Sequence, residues 1–403
     1  MTSFVPDRPP SVEPLAPERL DPLETAIAMP RGRSARAGHA HPAGSAGPRE
    51  VLEGLLTEVL GRGRCFVLFS GGRDSSALLA VATAVARRTG ADDPVPVIGR
   101  YPREQHPDAY EEPWQDLVLD HLGIGERIVL DLDDDVRVLG ARARGALLRH
   151  GALWPASVQS QEPFFSPLPD GARLLTGEGG DQAFLPRRIT PLALLLKHHR
   201  RPDRALLGEI AASLAPAARQ VRRQPPPSWL RGEAVEAHRD AWTAFVREPW
   251  GWDRQTRRMY TSRAETVPLV NLASSAAEHG VALSHPFTDR GFLDALASAG
   301  GRWGYAGRTD VMRRLFSDVL PDAVLSRRTK AWFNSARWGE EERAFAERWT
   351  GSGIDPRYVD AEALRAQWLE PRQNQATYHL LQVAWVAAQR GDRRPAGDGG
   401  EER

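Results

Sequence analysis

The chain has 403 residues, 41% hydrophobic and 26% charged, enough to bury a sizeable core as one large domain or two. Its 53 basic and 52 acidic residues leave a formal net charge of +1, which excludes the overall positive field of a dedicated nucleic-acid or anionic-membrane binder. The basic residues are 51 Arg and only 2 Lys, Lys197 and Lys330, so each Lys is a candidate for a position where Arg would not serve.

Residues 1–48 are rich in Pro, Arg, Ala and Gly without a sustained period, and are expected to form a disordered or loosely docked arm; His39 and His41 within it read as solvated. Order is expected from Pro48, where Val51, Leu52, Leu55, Leu56, Val59 and Leu60 recur at helical spacing. An apolar run from Cys65, a glycine pair and a helix-period segment over 75–88 then give a strand–loop–helix unit. Further strands are expected over 94–99, 127–132 and 173–176, with a helix over 114–122 between the first two. Strands alternating with helices imply an α/β fold, a parallel sheet with helices on both faces. Beyond Phe184 the pattern becomes helices separated by Pro-rich breaks, a largely helical C-terminal part. The tail, 390–403, has the composition of the arm.

A single cysteine, Cys65, excludes an internal disulfide framework and any multi-cysteine metal site, reads as a small buried hydrophobe, and fits a reducing, cytoplasmic setting. The longest nearly apolar stretch, 77–86, falls well short of the roughly 20 residues that span a bilayer, and acids and prolines occupy the place of a signal peptide.

Two loops carry candidate chemistry. Ser70-Gly71-Gly72-Arg73-Asp74-Ser75-Ser76 lies where a strand hands over to a helix. Glycines there let backbone N–H groups approach an anion, serines add donors, and the helix N-terminus adds partial positive charge. The plain alternative is a Gly-Gly turn with Asp and Ser capping the helix. Thr176-Gly177-Glu178-Gly179-Gly180-Asp181-Gln182 also follows a strand. In an open parallel sheet both loops meet at the carboxyl edge, where Asp74 and Asp181 could each give Mg²⁺ one carboxylate, with phosphates and water completing its shell.

These segments carry a resemblance. SGGRDSS resembles the pyrophosphate loop of the ATP-pyrophosphatase superfamily, and together with TGEGGDQ it resembles the synthetase domain of asparagine synthetase and its relatives, which include β-lactam synthetase and the macrolactam-forming cyclases of lasso peptide biosynthesis. GVALSHPFTDRGFLDAL and LPDAVLSRRTKAWFN match two further family segments in the same order, so the resemblance covers about residues 49–389. It implies a nucleotide-binding α/β part over 49–185 and a helical substrate part over 186–389. It also implies a reaction in which a carboxylate receives AMP from ATP, pyrophosphate leaves, and an amine displaces AMP to form an amide.

Carried over residue by residue, the resemblance assigns Ser70, Gly71, Gly72, Ser75 and Ser76 to the β- and γ-phosphates and Asp74 and Asp181 to Mg²⁺. Leu68, Ile98 and Gly177 would line the adenosine site. Glu178 would orient or deprotonate the attacking amine. Lys330 matches the catalytic lysine, a compact ammonium able to follow charge from phosphorus to carbon. Lys197 has no motif around it and reads as a helix-end cation.

Two departures accompany the resemblance. Glutamine-dependent members begin Met-Cys and carry a glutaminase domain, whereas this sequence begins Met1-Thr2-Ser3 with about 50 residues ahead of the first loop. No glutamine-hydrolysing nucleophile is therefore expected, and nitrogen would come from free ammonia, a partner, or an amine on the substrate. Gln182 replaces the usual Glu, which implies a changed hydrogen-bond surrounding and not a dead site. The leading expectation is an ATP- and Mg²⁺-dependent ligase of specialised metabolism, most specifically a lasso-type peptide macrolactam cyclase with a precursor peptide and its processing protease as partners. The alternatives are an ammonia- or partner-fed asparagine synthetase-like enzyme acting on a small acid, an ATP pyrophosphatase modifying tRNA, and a non-catalytic nucleotide-binding partner protein. Tryptophans at 229, 242, 250, 252 and 303 are expected as core or groove walls ahead of peptide clamps.

Overall fold

The computed structural model describes residues 16–34, 46–132 and 136–392. Five strands, β1 (Cys65–Leu68), β2 (Val95–Arg100), β3 (Ile128–Asp131), β4 (Arg173–Thr176) and β5 (Ala282–Ser284), form one sheet in the order β3-β2-β1-β4-β5. Every neighbouring pair is parallel. From β1 the chain builds outward through β2 to β3, then returns to place β4 on the other side of β1. The carboxyl ends of β1 and β4 thus flank a topological switch point, where open α/β sheets leave a crevice for ligands.

Alternation along the strands explains why both faces are covered. Val67, Ile98 and Leu175 pack on one face against α2 (Pro48–Leu60) and α3 (Arg73–Thr89), while Phe66, Val97 and Leu174 pack on the other with Phe164, Phe165 and Leu168. All of 77–82 in α3 is closed to solvent, as a helix apolar nearly all round requires. The first core continues into the C-terminal half through Phe184, whose ring packs edge-on against Phe287 at 5.2 Å and Phe316 at 6.0 Å.

The expected α/β class and its parallel sheet are the observed ones, and the four expected strands coincide with β1 to β4. The fifth was missed: β5 pairs with β4 but is three residues long, too short to show a period among helices. Within the first 48 residues, 16–34 are packed more firmly than a loosely docked arm. The helix α1 (Pro22–Ile27) is capped by Asp21 and buries Leu23, Ala26 and Ile27, residues at i, i+3 and i+4. Trp229 Nε1 donates to the Ala26 carbonyl at 3.1 Å, and Asn271 Nδ2 to the Glu18 carbonyl at 3.0 Å. His39 and His41 lie outside the described residues, as does 393–403, while the last helix, Tyr378–Asp392, runs into the expected tail. Among the described residues no helix is long and apolar enough to cross a membrane.

Cys65 is buried and free, and burial pushes its thiol up to about 12, which leaves it an inert core residue. Trp229 and Trp252 are core residues at 2% exposure, and none of the five tryptophans singled out lines the cleft described below.

Candidate active site

The first glycine loop is held by its own serines. The Ser70 amide donates to Ser75 Oγ at 3.2 Å, Ser75 Oγ donates to the Gly72 carbonyl at 3.1 Å, and the Gly72 amide donates to Ser70 Oγ at 3.3 Å. Gly71 has a φ of +79°, and a Cβ there would lie 3.0 Å from Gln115 Cγ and 3.2 Å from the Gln115 amide nitrogen of α4 (Glu112–Leu122), so both conformation and space require glycine. The loop opens directly onto the N-terminus of α3.

The second loop lies against the first. A Cβ on Gly177 would stand 2.9 Å from the Ser75 amide nitrogen, and one on Gly180 would stand 2.6 Å from Asp74 Cγ. His285 fixes the loop from below: its Nδ1 lies 2.6 Å from Thr176 Oγ1, which in turn accepts from the Glu178 amide at 3.3 Å. Desolvation of the half-buried His285 ring pulls it down to about 4, so the ring is neutral at ordinary pH.

These loops form one side of a cleft of about 570 Å³ whose walls carry six cations, Arg73, Arg308, Arg327, Arg328, Lys330 and Arg337, against the four carboxylates Asp74, Glu111, Glu178 and Asp181. A surplus of positive charge suits a polyphosphate ligand. A second cavity of about 560 Å³ lies beside α1 between Arg19 and His379 and contains none of the loop residues.

The cleft brings most of the expected residues together. Leu68, Ser70, Gly72, Asp74, Ser75, Gly177, Glu178, Asp181 and Lys330 all line it. Gly71, Ser76 and Ile98 do not. Gly71 contributes through its carbonyl, which accepts from Arg327 Nη1 at 3.1 Å. Ser76 is fully buried in α3 with an unpartnered hydroxyl, and Ile98 points into the core, leaving its neighbour Gly99 on the wall.

At the centre, Arg308 Nη2 meets Asp74 Oδ2 at 2.5 Å while its Nη1 meets Asp181 Oδ1, and Lys330 Nζ meets Asp181 Oδ2. Burial pushes the Asp74 carboxyl upward against the pull of Arg308. Burial acts the same way on Asp181, but the contacts from Lys330 and Arg308 outweigh it and hold that carboxyl below the ordinary range. Asp74 Oδ1 is buried with no hydrogen-bond partner. An oxygen left bare beside a second carboxylate is a donor set that fits a hard cation, and Mg²⁺ accepts as few as two protein carboxylates when phosphate and water supply the rest. No group of three or more His, Cys, Asp or Glu that could hold a metal occurs among the described residues. Glu178 is exposed to the cleft; crowding by the cleft walls, which desolvates it, and the neighbouring Asp181 and Asp74 raise its carboxyl above the ordinary range.

Sequence reasoning missed three arginines. Arg308 bridges the two loops. Arg327 makes a buried bidentate pair with Glu111, at 2.5 and 2.6 Å, and stacks 4.5 Å from the Trp114 ring. Arg337 lines the same cleft, with Glu178 as its charged neighbour. With 51 arginines in the chain none stood out, whereas the rarity of lysine exposed Lys330. Lys197, the other lysine, donates to the Gly304 carbonyl at 2.8 Å and the Gly300 carbonyl at 3.4 Å, neutralising the C-terminal end of the helix Arg290–Gly300.

A parallel sheet with paired glycine loops at its switch point, two facing aspartates and a lysine reaching over them defines a nucleotide-dependent group-transfer fold. The chain belongs to the asparagine synthase family, whose model matches residues 57–390. No curated protein matches the chain. Members of this family form carbon–nitrogen bonds with ATP by adenylating a carboxylate, and that general chemistry is the activity of this chain.

Proposed function

We propose that the chain is an AMP-forming ligase that closes a peptide into a macrolactam, activating an acidic side chain and joining it to an amine of the same peptide, in the manner of lasso peptide cyclases. The observation that supports this reading is the aromatic lining of the cleft. Its walls include Tyr101, Phe164, Phe333 and Gln161, with the Tyr101 and Phe333 rings 5.3 Å apart, and Trp332, two residues from Lys330, is 57% exposed. Aromatic walls suit a peptide, since aromatic faces bind apolar and backbone groups alike.

On this reading each residue has a definite task. Ser70, Gly72 and Ser75, with the α3 N-terminus, hold the β- and γ-phosphates. Asp74 and Asp181 would hold Mg²⁺, which when bound supplies charge neutralisation to the departing pyrophosphate. Lys330 and Arg308 sit on Asp181 and reach the same phosphates, so charge building up on the leaving group meets two fixed cations. Leu68 and Gly177 bound the nucleoside. Glu178, with its raised affinity for a proton, takes the proton from the amine as it attacks the adenylated carboxylate. The carboxylate oxygen attacks the α-phosphorus, pyrophosphate leaves, and the amine nitrogen then forms the C–N bond as AMP departs.

The test is incubation with ATP, Mg²⁺ and a precursor peptide bearing a free N-terminal amine and an internal Asp or Glu, supplied with its processing protease. Loss of one water from the peptide together with release of AMP supports the cyclase. Amide formation on a small acid with free ammonia, and none on the peptide, would assign the chain to ammonia-fed synthesis instead.

A further inference from the structure

The second cavity shares no lining residue with the cleft, and at about 560 Å³ it falls within the roughly 300–1,000 Å³ of ligand pockets. Part of its lining is a single face of the last helix, Tyr378–Asp392, where His379, Val383, Val386, Ala387 and Arg390 recur at i, i+4, i+7, i+8 and i+11. Leu20, Pro22 and Ala26 of the N-terminal segment add to it, with Ile354 and Val359.

Two features distinguish the cavity from an apolar gap. His379 is 4% exposed, and its Nδ1 is buried with no hydrogen-bond partner. Desolvation, against a smaller pull from the Leu153 backbone, lowers the ring to about 4, so it is neutral and calls for a hydrogen bond and not a counter-charge. The charge lies elsewhere. Arg19 and Arg390 both line the cavity and make no ion pair among the described residues, Arg19 donating from Nη2 to the His150 carbonyl, while the acid in the lining, Asp355, is engaged by Arg357 at 2.6 Å. The lining is therefore apolar with a surplus of positive charge.

An apolar wall, a buried ring nitrogen without a partner and two unpaired guanidinium groups together suit an apolar carboxylate that also carries an amide. A peptide unit offers both an N–H and a carbonyl, so it satisfies Nδ1 in either tautomer. A chain end adds a carboxylate matched to the guanidinium fork. His379 and Arg390 stand about 16 Å apart along the helix axis, a span that about five extended residues cover and a single amino acid does not. We infer that this cavity binds a polypeptide carboxyl terminus whose last residues are apolar, with its carboxylate on Arg19 or Arg390 and a peptide unit on His379. Such binding is independent of the chemistry in the cleft.

The test is isothermal titration calorimetry on the full chain with an acetylated hexapeptide ending in Ala-Leu-Val, with its C-terminally amidated twin, and with octanoate, all at matched ionic strength. Wild type should bind the free-carboxylate peptide about tenfold more tightly than the amide. That preference should vanish when Arg19→Met and Arg390→Met are combined; both side chains are exposed, so the substitutions leave the core intact. Saturating ATP and Mg²⁺ should leave the affinity unchanged. No peptide binding, equal affinity for peptide and amide, or wild-type affinity in the double variant overturns the inference. So does octanoate binding without peptide binding, or displacement of the peptide by ATP, which would place it in the cleft.

Discussion

Arg308 holds Asp74 and Asp181 together, one carboxylate from each glycine loop, with one guanidinium nitrogen on each. The two loops are 107 residues apart in sequence at these aspartates, and without a cation between them their charges would repel.

Replacing Arg308 with Met removes that bridge and leaves Mg²⁺ as the remaining counter-charge. The variant should melt below wild type in a chelator and recover with added Mg²⁺, while the wild-type midpoint changes less across the same titration. A variant that melts like wild type and ignores Mg²⁺ would show that the two aspartates do not share a cation.

Asp74→Asn should abolish AMP formation with no loss of stability. The wild-type carboxyl is pushed upward by burial and carries one oxygen with no partner, so neutralising it relieves a cost in the resting protein while deleting a metal ligand. Thermal melts and AMP release measured on the same preparation check both halves.

The pair Arg327–Glu111 should be worth most when one member is missing. Their side chains are 4% and 7% exposed, so Arg327→Met strands a buried carboxylate, and breaking such a pair costs about 3–5 kcal/mol. Adding Glu111→Gln should restore much of that stability, measured by urea unfolding. It should not restore kcat, because Arg327 also ties the loop leading to Lys330 to the Gly71 carbonyl.

How far the sequence disclosed this site follows from the kind of signal each residue emits. Asp74, Asp181 and Glu178 sit in contiguous motifs with glycines whose necessity is steric, as at Gly71, Lys330 in a contiguous Leu-Pro…Arg-x-Lys segment, and the cleft gathers all four. The β1 to β4 frame was legible because its strands are apolar runs bounded by breaks; β5 was too short to show. Arg308 and Arg327 act through partners at 234 and 216 residues' separation, and a pairing of that range leaves no local pattern. Ser76 shows the opposite failure, a motif residue that the helix turns into the core.

Acid should destabilise the fold in a defined window. His379 is buried and His285 half-buried, and desolvation lowers both to about 4 from 6.5. Between those values the unfolded chain binds protons that the folded one refuses, so this stability is complete above pH 6.5 and is lost as pH falls toward 4, by about 3 kcal/mol for each His. Urea midpoints across that range should fall with pH, and His379→Gln, remote from the cleft, should flatten the slope. A pH-independent midpoint would contradict the buried neutral rings.

The account's central claim is that a carboxylate attacks the α-phosphorus of ATP over Asp74, Asp181 and Lys330. The most direct measurement supplies the acceptor labelled with oxygen-18 in its carboxylate and identifies the nucleotide product by mass. The account predicts AMP carrying one labelled oxygen, with pyrophosphate released, and loss of that product in both Asp74→Asn and Lys330→Arg. Unlabelled AMP, or ADP and phosphate in its place, would contradict it.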